Sequence, residues 1–237
     1  MGIRKIIFET ERYYHVFNRG TDKRIIFHDK EDVEYFLSRL DDFNNNHPVG
    51  GVKIQNIQKR CNVRSKASDK KASDKKNGQL VRIIAYCLLP NHFHLLLKQS
   101  SEDGVTKFMQ RVGTSYAKYY NKKYARNGSL FQGKFKAKEL KGAGSLEMLS
   151  VYVNLNYKHH RIDPSKVNVV SSLDEYVNLK IIKDNNLCDK KEVINVIGGN
   201  TNNKKKAYIK YSKMQSRYFI KNKGKEVSSV KFEGFEA

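Results

Sequence analysis

The sequence predicts an α+β fold, in which an antiparallel sheet of the ferredoxin-like kind carries helices on one face and a small helical extension follows at the C-terminus. The predicted elements run in the order strand, helix, strand, strand, helix, strand, helix, which suits such a sheet. The two central strands are separated by a two-residue turn, so they must pair as an antiparallel hairpin. Hydrophobic residues make up 39% of the 237 residues, enough to form a packed core.

One strand, one helix and one hairpin make up the first half of the predicted core. Tyr13–Asn18 (YYHVFN) has the composition of a short strand. Residues 29–45 place apolar side chains three and four positions apart, as an amphipathic helix does. The apolar run Val81–Leu89 predicts a buried strand, and the turn Pro90-Asn91 joins it to a second strand, His92–Lys98.

A long helix, a strand and a second helix are predicted in the second half of the core. Val105–Tyr124 has one broad apolar face and ends before Asn127-Gly128. Ser129–Leu140 (SLFQGKFKAKEL) alternates in part between apolar and polar residues, which predicts a strand or hairpin with basic outward positions. Leu146–His159 predicts the second helix, and the pattern weakens after Pro164.

These elements predict a core domain over residues 1–164 and a small C-terminal helical extension with a basic tail over 165–237. A lysine-rich insertion at about 62–79 interrupts the core. Within it, Ser65–Gly78 repeats KASDK and contains no large apolar residue. A mobile, solvated loop is the favoured interpretation, and contact with a phosphate backbone is the alternative.

The charge balance favours an anionic partner. Lys and Arg total 46 against 24 Asp and Glu, for a net charge of +22. Nucleic acid is the favoured partner because its phosphates neutralise such an excess. Charge alone does not separate DNA from RNA, and a basic protein made soluble by its charge, or a ribosome-associated one, is the alternative.

Cysteine spacing and hydropathy argue against a disulfide framework, a signal peptide and a membrane span. Cys61, Cys87 and Cys188 form no CxxC motif, and their odd number argues against a disulfide framework. No apolar run is long enough for a signal core or a membrane span. A cytoplasmic protein without a membrane partner is therefore expected.

His92 and His94 form the sharpest chemical motif. On a strand, residues i and i+2 point to the same face, so the two imidazoles project together while Phe93 enters the core. Neutral imidazoles can hold a divalent metal and leave positions open for phosphate oxygens. Two ordinary histidines on a solvated strand, or a structural pair, are the alternative interpretation.

Tyr152 is the candidate nucleophile. Asn156 lies one helical turn later, so the phenol and the amide can address the same point. A tyrosine can attack phosphorus and form a phosphotyrosine linkage. With 14 tyrosines in the chain, an ordinary core aromatic is the alternative.

The helix over residues 105–124 combines tyrosines with basic residues. Its tyrosines at 116, 119, 120 and 124 predict packing or base stacking.

Lys134, Lys136 and Lys138 alternate, which predicts three ammonium groups on one side of a strand. His159 and His160 are interpreted as helix-end residues. The predicted phosphate-contacting residues are Arg19, Arg111, Lys118, Lys122, Arg126, Lys134, Lys136 and Lys138.

Four segments in this order resemble the single-tyrosine HUH transposases, and within them the REP-associated tyrosine transposases: YHVFNRG at Tyr14–Gly20, AYCLLPNHFHLLL at Ala85–Leu97, SLFQGKFK at Ser129–Lys136 and YVNLN at Tyr152–Asn156. The resemblance covers about residues 13–180. Relatives usually have proline after the asparagine, where this chain has Tyr157.

The resemblance implies a ferredoxin-like HUH nuclease core, in which His92, His94 and Asn156 hold Mg²⁺ or Mn²⁺ and Tyr152 is the nucleophile. It implies single-stranded DNA with hairpin structure as the partner, cut through a 5′-phosphotyrosine intermediate that leaves a free 3′-OH. Relatives are monomers or homodimers and act on DNA in the cytoplasm, at the nucleoid. Two alternatives are a domesticated hairpin-binding protein that no longer cuts, and an RNA-binding or RNA-processing protein.

Overall fold

A computed structural model describes residues 6–46, 78–141, 146–177, 186–199, 201 and 203–221. The lysine-rich insertion and the basic tail lie outside the described residues, apart from the last residues of the insertion. Within these ranges the strands are β1 (Tyr13–Arg19), β2 (Val81–Leu89), β3 (His92–Gln99), β4 (Lys136–Glu139) and β5 (Val170–Ser171). The α-helices are α1 (Lys30–Asp42), α2 (Gly104–Lys123), α3 (Leu146–Asn154), α4 (Asn156–His159), α5 (Leu173–Val177), α6 (Lys191–Gly198) and α7 (Lys204–Lys221).

The five strands form one antiparallel sheet in the order β4-β1-β3-β2-β5. The hairpin of β2 and β3 lies at its centre, as the two-residue turn predicted. Strand β1 pairs with β3 so that Phe17 lies opposite His94 and Arg19 lies opposite His92. Because paired residues share a face, the two histidines, His15, Phe17 and Arg19 all project to the same side of the sheet. This side is called the histidine face.

Helices α1 and α2 cover the opposite face, as predicted for the core. Phe93 points away from the histidines, and its ring centroid lies 5.1 Å from that of Phe36 on α1. Tyr116 of α2 also packs on Phe36, with the two rings perpendicular. Phe27, Phe36, Phe93 and Tyr116 are buried, so this face carries the main aromatic part of the core.

The later helices lie against the histidine face. Tyr152 on α3 contacts the His15 ring, and Glu192 on α6 accepts a hydrogen bond from Lys98 of β3. The prediction that the helices cover a single face of the sheet therefore holds for α1 and α2 but not for the later helices. The physical reason is that all eight residues of β3 are buried, so both faces of the sheet must be covered. No helix in the described ranges is both long and apolar enough to cross a membrane.

Two predicted elements are shorter than expected. Leu146–His159 is not one continuous helix, because Leu155 adopts φ −107° and ψ 17° and separates α3 from α4. In the segment Ser129–Leu140 only β4 is a regular strand, and Phe131 forms an isolated bridge with Gly20. Lys134 precedes β4, so the prediction that it shares a strand face with Lys136 and Lys138 is wrong.

The tyrosines of α2, and Tyr124 directly after it, pack against other parts of the protein rather than forming an exposed stacking surface. Tyr119 and Tyr124 donate hydrogen bonds to Asp32 of α1, whose side chain is fully buried. Lys123 also donates to Asp32, with Nζ 2.9 Å from Oδ1. The backbone N–H of His28 completes this set of donors. The Asp32 carboxylate therefore ties α1 to the C-terminal end of α2.

Replacing Asp32 with alanine is expected to lower the free energy of unfolding by about 2–4 kcal/mol, because several buried donors would lose their acceptor. Lys123 would retain Asp29 and Glu31, which limits the loss. Urea denaturation measures the effect. Glu34→Ala on the same helix is the control, because Glu34 pairs with Lys30 at the exposed surface. An equal and small loss in both variants would contradict this role of Asp32.

Candidate active site and metal centre

Three imidazoles meet on the histidine face. His92 and His94 of β3 lie beside His160, which caps the C-terminal end of α4. One ligand nitrogen from each of the three lies within 4.8 Å of the others. The ring centroid of His160 is 4.9 Å from that of His92 and 6.4 Å from that of His94. This spacing suits coordination of a single small cation.

Burial keeps the two strand histidines neutral. It lowers the pKa of His92 to about 3, with His160 and Arg19 adding to the effect. Burial also holds the pKa of His94 well below its usual value, and the surrounding histidines act in the same direction. A neutral imidazole has a lone pair for a metal, whereas an imidazolium has none. The two strand histidines are therefore in the protonation state that a metal ligand requires.

Hydrogen bonds fix the orientation of both rings. His92 Nδ1 lies 2.6 Å from Asn91 Oδ1, which can only accept, so Nδ1 carries the proton and Nε2 has the lone pair. His94 Nδ1 lies 2.9 Å from His15 Nε2. With Nδ1 occupied in this way, Nε2 of His94 is the nitrogen that can coordinate a cation. Such partners on the second ring nitrogen are typical of metal-bound histidines.

Tyr152 lies at the side of this cluster. Its ring centroid is 5.9 Å from that of His15 and 5.0 Å from that of His159, which stacks on it. The C-terminal helix contributes Phe219, whose ring is 5.4 Å away. Only 8% of Tyr152 is exposed. The phenol is thus adjacent to the histidines but covered by the protein.

Asn156 remains beside Tyr152 despite the helix break. Burial raises the pKa of the Tyr152 phenol, and the nearby Asn156 side chain acts against that rise. Asn156 itself is fully buried. The four-residue spacing therefore placed the two side chains near each other, although they belong to different helices.

His15 and His160 are the site residues that sequence reasoning missed. His160 lies four residues after Asn156, which itself lies four after Tyr152, and this spacing was the available signal. His160 does lie at a helix end, as predicted, but its neighbours come from β3. His15 gave no usable signal, because its contact with His94 depends on the register between β1 and β3.

Three of the predicted phosphate-contacting residues lie on the histidine face. Arg19 is opposite His92 in the sheet, with 8% of it exposed. On β4, Lys136 is opposite Phe17 and Lys138 is opposite His15. Lys138 helps burial to lower the pKa of His15 to about 3. These cations raise the positive potential beside the imidazoles.

The other predicted contacts are not brought to the histidines. Lys118 and Lys122 are exposed on α2, which covers the opposite face. Arg111 of the same helix donates to the Asn45 carbonyl over 2.6 Å, so it helps to join α2 to the end of α1. Arg126 follows α2 and lies 5.8 Å from the Tyr120 ring centroid. Lys134 lines a cavity on that same side.

Comparison with known proteins agrees with the motifs. Residues 53–156 match the family model described as transposase IS200-like. A solved structure of a REP-associated tyrosine transposase bound to a REP hairpin superposes with a TM-score of 0.47 and 10% sequence identity, and covers 80% of this chain and 94% of that chain. No curated protein matches. The match of residues 53–156 to this family model agrees with the resemblance that the sequence motifs carry.

Proposed function

We propose that the protein is a metal-dependent endonuclease and strand transferase that cuts single-stranded DNA at hairpins through a covalent bond to Tyr152. The observation that carries the proposal is the contact chain from Tyr152 to His15 and from His15 to His94 of the imidazole cluster. The match of residues 53–156 to the transposase IS200-like family model supports it. The similar solved protein is a tyrosine transposase bound to a hairpin, which agrees with this substrate class.

The imidazole cluster has the donor set for a divalent ion. His92, His94 and His160 would hold it, and Asn156 is the oxygen ligand that the family resemblance implies. Three nitrogen donors suit Mn²⁺ better than Mg²⁺, which prefers oxygen. A bound ion would withdraw charge from the scissile phosphate and hold its oxygens in place.

The reaction at Tyr152 is a transesterification. The phenol oxygen bonds to phosphorus, the bond from phosphorus to the 3′ oxygen breaks, and the 5′ phosphate remains on the tyrosine. The proton lost by the phenol is balanced by the proton gained by the 3′ oxygen. Because burial raises the phenol pKa, a neighbouring base must assist. His159, whose ring stacks on Tyr152, is the candidate.

Access to the phenol requires movement of its cover. Phe219 of α7 packs on both Tyr152 and His159. Displacement of the Phe219 ring would open the side of Tyr152 on which that ring packs. Arg19, Lys136 and Lys138 would then contact phosphates next to the site, and Arg111, Lys118, Lys122, Arg126 and Lys134 are the candidates for more distant DNA.

The burial of Tyr152 favours one alternative, a protein that binds DNA or RNA hairpins without cutting them. Incubation with labelled single-stranded DNA and RNA hairpins, with Mg²⁺ or Mn²⁺, separates the two. The nuclease is expected to yield a Tyr152 peptide bearing a DNA 5′ phosphate by mass spectrometry. Binding of DNA with no adduct under any of these conditions would favour the hairpin-binding protein that does not cut. Cutting of RNA but not of DNA would show that the substrate is RNA.

His15→Asn tests the role of His15 as a positioning residue for His94. Loss of this hydrogen bond is expected to weaken Mn²⁺ binding by about 10- to 100-fold, the usual effect of removing the partner of a metal-bound histidine. Isothermal titration with Mn²⁺ in the absence of DNA measures it. His28→Asn is the control, because His28 bonds to Tyr120 on the other side of the sheet. Equal Mn²⁺ affinity in both variants would refute the positioning role.

A further inference from the structure

The helix α7 carries many basic residues and no acidic ones. Its 18 residues include seven lysines and arginines, and neither aspartate nor glutamate occurs among them. The whole sequence, by comparison, has 24 acidic residues beside its 46 basic ones. Positive charge is therefore more concentrated on α7 than in the chain on average. The seven cations are Lys204, Lys205, Lys206, Lys210, Lys213, Arg217 and Lys221.

Four of these cations form one row along the outer side of the helix. They follow one another at spacings of four, three and four residues, which places them on a single helical face. All four are exposed. At a rise of 1.5 Å per residue, the row is about 16 Å long. This basic row consists of Lys206, Lys210, Lys213 and Arg217.

The inner side of α7 fixes the orientation of the basic row. Tyr208 is fully buried, and its hydroxyl accepts a hydrogen bond from Asn154 Nδ2 of α3 over 2.7 Å. Ser212 and Phe219 are also buried, and the Phe219 ring packs on Tyr152. These buried residues lie about half a turn around the helix from the basic row. The row therefore faces solvent while the helix stays attached to the domain.

The cations of the basic row form no ion pair within the part of the chain that the structure describes. On α1, by contrast, Lys30 lies 3.4 Å from Glu34, and Arg39 lies 2.7 Å from Asp42. Lys123 at the end of α2 contacts three carboxylates. The basic row therefore keeps its positive charge for an external partner.

The arrangement of these cations is unfavourable for the helix itself. Like charges three or four residues apart on a helix repel each other. Lys204, Lys205 and Lys206 also begin the helix, at the positive end of its dipole, where acidic residues are favourable. Such local conflicts are typical of functional sites. A bound anion would remove the repulsion along the row.

A chain of contacts places Tyr152 between β4 and the helix that bears the basic row. Lys138 of β4 is opposite His15, and the His15 ring contacts the Tyr152 ring. Phe219, which belongs to the same helix as the basic row, contacts Tyr152 as well. A polynucleotide attached to Tyr152 would therefore have a positively charged element within reach on either side.

We propose that the basic row binds the phosphate backbone of the DNA on one side of the cleavage position, a proposal that rests on the proposed function. Each DNA strand carries one negative charge per 3.4 Å of helix axis, so the length of the row matches about five phosphates. Lysine and arginine contacts with phosphates position DNA without reading its bases. The backbone belongs either to the hairpin stem or to a single-stranded flank.

Fluorescence anisotropy at several salt concentrations, in the presence of a chelator, tests the proposal. Replacement of Lys206, Lys210 and Lys213 by glutamine is expected to reduce the slope of log affinity against log salt concentration by about 2–3, because each lost phosphate contact contributes about 0.7–0.9. Affinity near 0.1 M salt should fall about tenfold or more. A blunt hairpin and an unstructured single strand are measured separately. The DNA whose slope falls identifies the stem or the flank as the source of the backbone.

The matched control replaces Lys30, Lys107 and Lys191, three exposed lysines on other helices, by glutamine. Its net charge equals that of the row variant, but its slope should differ from that of wild type by less than about 0.5. The row variant should melt no lower than wild type, because glutamine favours a helix about as well as lysine and the repulsion is relieved. Arg217→Gln alone, with an expected slope change of about 1, provides a second test if the triple variant does not fold.

Two results would overturn the α7 surface alone, with DNA binding intact: a slope in the row variant equal to that of wild type for both DNAs, or an equal fall in the control variant. Absence of binding to either DNA by the wild-type protein would overturn this surface and the proposed function together. The two failures are therefore distinguishable.

Discussion

Tyr152→Phe is expected to abolish the covalent protein–DNA adduct and to lower cleavage by roughly four orders of magnitude or more, as loss of a catalytic nucleophile does. Only the phenol oxygen is removed. The ring contacts with His15, His159 and Phe219 can be retained by phenylalanine, so the fold and hairpin binding should remain nearly intact. Denaturing gel electrophoresis with end-labelled hairpins measures the adduct.

Tyr157→Phe is the matched control for the nucleophile. Tyr157 lies on α4, five residues after Tyr152, and is half-buried. Burial raises the phenol pKa of Tyr157 as it does that of Tyr152, so the two phenols are comparable in this respect. Tyr157→Phe should retain the adduct in full. A full-strength adduct from Tyr152→Phe would instead assign the nucleophile to another tyrosine.

Removal of the metal is the second prediction with a large effect. Excess EDTA or His92→Ala is expected to reduce cleavage by about 10²-fold or more, because the scissile phosphate would lose the ion that withdraws its charge. Hairpin binding should fall much less, since it depends on lysine and arginine contacts with phosphates. Restored cleavage after addition of Mn²⁺ to the EDTA-treated protein completes the test.

Separate His160→Ala and Asn156→Ala variants decide which residue completes the metal site. The His160 imidazole belongs to the cluster of ligand nitrogens, whereas the Asn156 side chain lies near the phenol. A larger loss of Mn²⁺ affinity in His160→Ala is expected from this geometry. Cleavage that persists at full rate in excess EDTA and in His92→Ala would remove the metal from the mechanism.

The main elements of the core were predictable because their signals are local. The strand Val81–Leu89 was predicted at its observed bounds, and α2 differs from prediction by one residue at each end. The helix break at Leu155 was not predictable, because the apolar residues around it continue the helical pattern. Only the backbone angles of Leu155 depart from a helix. Strand β4 is also shorter than the predicted strand over Ser129–Leu140. The segment before it is held by side-chain contacts from β1 and α2 rather than by regular strand pairing.

By itself, the sequence determined the α+β class, the resemblance to transposases, the shared face of His92 and His94, and the spacing of Tyr152 and Asn156. Each depends on residues near one another in the chain. Only the tertiary structure decided that His15 and His160 join the two histidines, that Phe219 covers Tyr152, and that the basic residues divide between two faces. Those facts depend on strand register and on helix docking across long separations, which are set by packing of the whole core rather than by local patterns.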